Sequence, residues 1–173
     1  MYMYKTLLPV TLVSAALGTL AMAFTLTAPT LASAEEIISL TARGGVLYDK
    51  WYKVVDVDPP KGNHAAWPAS NTKKKGGVTW RCKSCHGWDY NGAQGAYGSK
   101  SSSYYTGIKG ITTMEGASVD KIIAILKDKT HGLTDDMLDA DAFRDLALFV
   151  SAGQVDMDNY IDRATKKPRG LAD

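Results

Sequence analysis

The run Cys82-Lys83-Ser84-Cys85-His86 restricts this chain more than any other stretch. Its two thiols lie one helical turn apart, and a histidine follows at once. Each thiol in such a run can form a thioether to a haem vinyl group, with the adjoining imidazole swung under the iron as its proximal ligand. Three other readings use the same residues: half of a zinc site, a thioredoxin-like redox pair, or a structural disulfide. A four-ligand zinc site wants a second Cys/His pair, but the chain has only 2 cysteines. A redox pair wants a βαβ setting that the pattern lacks. A disulfide across two residues leaves His86 without a role. One covalent haem c is therefore expected on Cys82 and Cys85, with His86 as an iron ligand.

The first residues bear on where such chemistry takes place. Met1 to Lys5 carries one positive charge, Thr6 to Leu31 carries none, and Ala32-Ser33-Ala34 has the small-x-small form read by signal peptidase. Residues 1–34 are read as a cleaved secretory signal. An uncleaved anchor is the alternative, although threonines, a serine and two prolines dilute the apolar run. Export is expected either way, and it agrees with the haem motif, because c-type haem attachment takes place on the periplasmic side in bacteria. With both cysteines committed, no disulfide helps to hold the fold.

The whole chain of 173 residues allows one domain, or one domain with extensions. Glu35 to Val55 reads as a helix with Gly44-Gly45 as a weak spot. Asp58-Pro59-Pro60 stops it, and a long loop follows to Gly77, of the kind that is functional or mobile. After the haem motif, residues through Gly110 are rich in Gly, Ser and Tyr and read as irregular wrapping. Its aromatics, with Trp80 and Trp88, are expected either to line a haem and bond its propionates or to form ordinary core. Ser118 to Lys129 reads as a helix capped by Ser118. A closing helix starts at Asp139, with Leu138 and Phe143 stapled across the cap, and ends at Gly153. Residues 154–173 read as a polar tail with at most one turn around 159–163. The class is all-α.

These pieces, from Gly44 to Gly153, resemble the small single-haem class I cytochromes c. The resemblance implies a cytochrome c-like domain over 35–153 wrapped around its haem. It also implies a crossing of first and last helices that packs Gly45 and Tyr48 against Leu146 and Phe149. Two departures stand out. About thirty residues are inserted ahead of the motif (loop about 56–79), and no proline lies between Trp88 and Met114, where the family has a Gly-Pro whose carbonyl holds the proximal histidine. The resemblance further implies a distal iron ligand in the loop before the closing helix, which leaves His131 and Met137; Met114, Met157 and His64 are the remaining candidates. His131, seven residues ahead of Leu138, fits the family spacing better. Met137 abuts the helix cap, where its other role is core filler. His64 is read as a loop histidine unless the insertion folds over the haem.

An iron with both axial positions filled is suited to one-electron transfer rather than substrate chemistry. The expectation is thus an exported, periplasmic electron carrier and not an enzyme, working with redox partner proteins and without a stable membrane span once the signal is removed. A haem subunit of a larger periplasmic oxidoreductase is the alternative, and a haem enzyme or sensor with an open axial site is a third reading. Residues 35–114 carry 11 basic and 6 acidic side chains, and 115–173 carry 8 and 12. Lys73, Lys74, Lys75, Arg81 and Lys83 either ring the haem edge and steer an acidic partner or form a solvated basic loop. The near-neutral balance argues against nucleic acid as a partner.

Overall fold

The computed structural model describes residues 33–162, 164–165 and 167–170. Regular structure among them is helical, without strands: α1 Ala34–Val54, α2 Cys82–His86, α3 Val119–Leu126 and α4 Ala140–Ala152, with three short 3-10 turns. The all-α expectation holds. The leader lies outside the described residues, except that Ser33 Oγ caps α1 by accepting from Glu36 N (3.2 Å). Among the described residues, no helix is long and apolar enough to cross a membrane.

The crossing of α1 with α4 organises the core. Tyr48 and Phe149 meet with ring centres 5.3 Å apart, and Leu47, Tyr48, Trp51, Phe143 and Leu146 are almost wholly removed from water. Closest approach falls at Gly44 rather than Gly45. A Cβ on Gly44 would stand 2.0 Å from the Asp145 carbonyl oxygen, whereas one on Gly45 would lie 3.1 Å from the Phe149 ring. The glycine pair read as a weak spot is thus the contact that lets two backbones touch, and α1 runs straight through it. Buried Asp145 ties the crossing to α1 through Arg43 Nη1 (2.6 Å). The real irregularity in α1 is Lys50 (φ −158°, ψ 69°), a kink just before Trp51 and Tyr52 enter the core.

The closing helix has the ends its sequence indicates. Asp139 Oδ1 accepts from Ala142 N (2.7 Å), and Leu138 and Phe143, the two staple residues, are both 1% exposed. Helix α3 stops three residues early, at Leu126. The Asp128 carboxylate captures the amides of Thr130 and His131 (2.8 and 2.9 Å), and Gly132 adopts a positive φ of 62°, so the chain turns back instead of continuing. In the tail the turn lies at Met157–Asn159, ahead of the expected position, and an isolated bridge joins Ile161 to Pro168.

The loop after α1 is built rather than loose. Trp67 is buried and its indole donates to Asn71 O (3.1 Å). The Asn71 amide in turn donates to Ser103 O and Tyr105 O (3.0 and 2.9 Å). Tyr52 Oη donates to Gly77 O (3.1 Å), which fixes the loop's far end to α1.

Gly44→Ala should lower stability sharply, by about 1–3 kcal/mol or more as expected for overpacking, while Gly45→Ala costs clearly less. Denaturant unfolding of the two variants beside the wild type checks the order; equal losses would count against the crossing geometry described above.

Candidate functional site

A cleft opens where α1, α2, α3 and α4 converge with the segments 62–66 and 108–114. Its inner part is walled by Tyr48, Trp51, Ile122, Leu126, Leu146 and Val150. An adjoining part shares His64, Trp80, His86 and His131 with it. Cys82 lines the first part and Cys85 the second, so the two cysteines line adjoining parts of one cleft. Both cysteines are unpaired.

Burial pushes the Cys82 and Cys85 thiols up to about 12. A thioredoxin-like pair needs a depressed thiol pKa; these sulfurs sit in the opposite environment. Among the described residues, no three His, Cys, Asp or Glu side chains converge to hold a metal ion.

His86 and His131 face each other across the cleft, with ring centres 6.3 Å apart and planes 26° from parallel. His86 Nδ1–H donates to the Lys109 carbonyl (2.8 Å). Burial holds the His86 imidazole below its ordinary pKa, against the pull of that hydrogen bond, so it is a neutral ring with Nε2 bare. Lys109 O answers what orients His86 in the absence of a Gly-Pro. It is set by a backbone crossing in which Ala93 N donates to Ile108 O and Ile111 N to Tyr90 O, both 2.8 Å. At Gly92 (φ 53°) a Cβ would fall 2.4 Å from Ile108 O, so the Gly-rich wrapping exists to let these segments touch.

On the other wall, His131 Nδ1 lies 3.2 Å from Asp128 Oδ1. A carboxylate only accepts, so Nδ1 carries the proton and Nε2 is again free. The hydrogen bond from the His131 amide lowers the Asp128 carboxyl from its ordinary value of 3.8; desolvation opposes it, and the Thr130 amide adds to it. His64 completes the cluster in another role. Its Nε2–H donates to the His131 carbonyl (2.9 Å), while its Nδ1 accepts from Ala66 N (3.1 Å). Both of its nitrogens are used. His64 is a strut beneath the His131 loop, and the post-α1 segment does fold over the cleft to bring it there.

The other candidates fall elsewhere. Met137 packs, half-buried, against the core in the turn before α4, and Met157 lies by the tail. Met114 lines the inner cleft. Of the aromatics, Tyr48, Trp51 and Trp80 reach the cleft, but their donors go to backbone carbonyls: Tyr48 Oη to Gly87 O (2.7 Å), Trp51 Nε1 to Trp80 O (2.8 Å), Trp80 Nε1 to Gly62 O (3.2 Å). Tyr97 and Tyr104 stack on each other instead.

Four of the five basic residues near the motif have partners within the fold. Arg81 and Lys83 both pair with Asp49 of α1, and Lys83 Nζ also lies 3.9 Å from the Trp88 ring centre. Lys73 donates to Ser101 O (2.9 Å) and Lys74 lies over Tyr104. These charges brace α2 and the loop against their neighbours. No family model, no curated protein and no solved structure matches the chain.

Burial raises the Asp49 carboxyl, but the hydrogen bonds from Lys83 and Arg81 outweigh it and the net shift is downward from 3.8. A depressed folded pKa means stability present above the unfolded value and lost as pH falls through the folded one. Asp49→Asn should therefore be less stable than wild type at neutral pH, with the gap closing as pH drops below 3.8. Thermal midpoints measured across that range check it.

Proposed function

We propose that the chain is an exported single-haem c-type cytochrome that carries one electron at a time between redox partner proteins. The observation that carries this reading is the opposed pair His86 and His131 above the two thiols in one apolar cleft. Metal–imidazole bonds of about 2.0–2.1 Å on each side, with about 1 Å from nitrogen to ring centre, span roughly 6 Å. Ring centres 6.3 Å apart leave room for one metal between the two imidazoles. Two nitrogens cannot complete a coordination sphere, and the cleft walls between them are hydrocarbon. A flat macrocycle supplies the missing donors and takes the apolar contact at once, so the residues fit the group.

Under this reading Cys82 and Cys85 hold the haem c covalently, and His86 and His131 are its axial ligands. The haem supplies reversible one-electron ferric/ferrous chemistry when bound. The chain's own groups do the rest. Lys109 O and Asp128 keep each Nδ1 protonated, so each Nε2 remains a donor. Tyr48, Trp51 and the Ile and Leu walls exclude water, which limits solvent rearrangement when the charge changes. His131 is preferred over Met137 because it reaches the cleft while Met137 fills core. An imidazole pair favours ferric iron more than a His/Met pair does, so the potential is low for the class. The helical fold supports this reading only as far as its all-α class; on the class I resemblance the post-α1 loop would be the insertion, and its role the support of the distal ligand.

The test is expression in a host that matures c-type cytochromes. The expected product is pigmented, keeps its haem in acidified organic solvent, has sharp low-spin bands unchanged by carbon monoxide, and shows no sulfur-to-iron band. His131→Ala should turn it high-spin and open to carbon monoxide, and Met137→Leu should leave the spectrum as it was. A colourless secreted protein, or pigment extracted by the solvent, would defeat the proposal; the opposite pattern in the two variants would move the distal ligand to Met137.

A further inference from the structure

We infer that Asp128 is a positioning residue whose carboxylate makes the two ring donors of the cleft chemically unequal. This rests on the proposed function, because it concerns how His131 presents Nε2 to a metal.

Asp128 Oδ1 gathers three N–H groups: the amides of Thr130 (2.8 Å) and His131 (2.9 Å), and the ring Nδ1 of His131 (3.2 Å). The amide contacts fold 128–131 into the turn that ends α3. The ring contact reaches past that structural role. Across the cleft the corresponding acceptor for His86 is the neutral Lys109 carbonyl (2.8 Å). A carbonyl fixes a tautomer. A carboxylate fixes it and also draws the Nδ1 proton toward itself, which raises electron density at Nε2 and makes the ring a stronger donor. Of the two flanking cations, Lys127 and Lys129, the first pairs with Asp135 (2.5 Å). The His131 loop cannot swing to another acceptor, because His64 Nε2–H holds its carbonyl and Leu133 N donates to Leu126 O (3.2 Å). The His131 side therefore carries the stronger donor, and Asp128 favours the oxidised metal.

Asp128→Asn separates the two roles, since the amide oxygen can still accept from both backbone N–H groups while the charge is gone. The experiment is potentiometric titration of full-length, haem-loaded wild type, Asp128→Asn and Asp128→Glu, with low-spin EPR on the oxidised samples. The expected result is a low-spin Asp128→Asn protein with a raised potential, its ferric-to-ferrous ratio at a fixed poise lowered a few-fold. Its g-value spread should widen as for a weaker axial donor, and Asp128→Glu should return most of both. Unchanged potential and g-values in Asp128→Asn overturn the inference. So does an Asp128→Asn protein that turns high-spin or fails to fold, or an Asp128→Glu protein that behaves like the asparagine variant, since the charge is then not what Asp128 contributes. Wild-type protein lacking covalent pigment fails the proposed function instead, and that is read before any variant is titrated.

Discussion

Two imidazoles kept 6.3 Å apart across a hydrocarbon-walled cleft must each be restrained at the nitrogen that is not on offer. A ring free to turn would present either nitrogen, or swing out to water, and the separation would be lost. Here both Nδ1 atoms are tethered, one to Lys109 O and one to Asp128. The first tether is far from its ring in sequence, and the second depends on a distant support. Lys109 is twenty-three residues beyond His86, and reaches it only because two irregular segments cross at a glycine. The His131 loop is propped from below by His64, sixty-seven residues earlier. Most of the chain outside α1 and α4 is occupied with these two restraints.

This division explains why so much of the fold is irregular without being loose. The α1–α4 crossing supplies a fixed frame: a glycine contact, a buried Asp145 paired with the partly exposed Arg43, and a stapled helix start. Helix α2 hangs from that frame by Tyr48 Oη to Gly87 O and by Asp49 gripping Arg81 and Lys83. A five-residue helix has too few internal hydrogen bonds to persist alone. Its position is set from outside, at both ends and by both polar and charged contacts. The long loop then closes over the frame, fastened by Trp67, Asn71 and Tyr52.

The frame was legible in the sequence because its signals are short-range. Caps at Ser118 and Asp139, the Leu138/Phe143 staple and the proline stop after α1 each depend on residues a few positions apart, and each appears as expected. What escaped was long-range. The Gly45 expectation slipped to Gly44 because two neighbouring glycines look alike until the partner helix is in place. Nothing in the spacing of Lys109 marks its carbonyl as a tether, since every residue has one. The Arg81 and Lys83 charges looked free because Asp49 is more than thirty residues away in sequence. Asp128 could have been found: an aspartate three residues before a loop histidine is the spacing of a side chain turning back on its own backbone. It was read instead as part of a helix that continued to Lys129.

The same residues serve as core and as site, and this has a consequence for how the chain holds together. Tyr48, Trp51, Ile122, Leu126, Leu146 and Val150 wall the cleft and also belong to the buried cluster. A cleft between the main helices forgoes the contacts that would otherwise fill it, since apolar walls without partners lose dispersion energy and meet water. No disulfide compensates, and α2 has little stability of its own. A large flat apolar group joined to α2 would restore those contacts and lock the short helix to α3 and α4 at once. Whatever binds the folded form but not the unfolded one stabilises it, and a covalent link prevents its loss on transient opening. On the proposed function, the thioethers at Cys82 and Cys85 then act as the cross-link that the sequence otherwise lacks, closing the core through the cofactor rather than through a second cysteine.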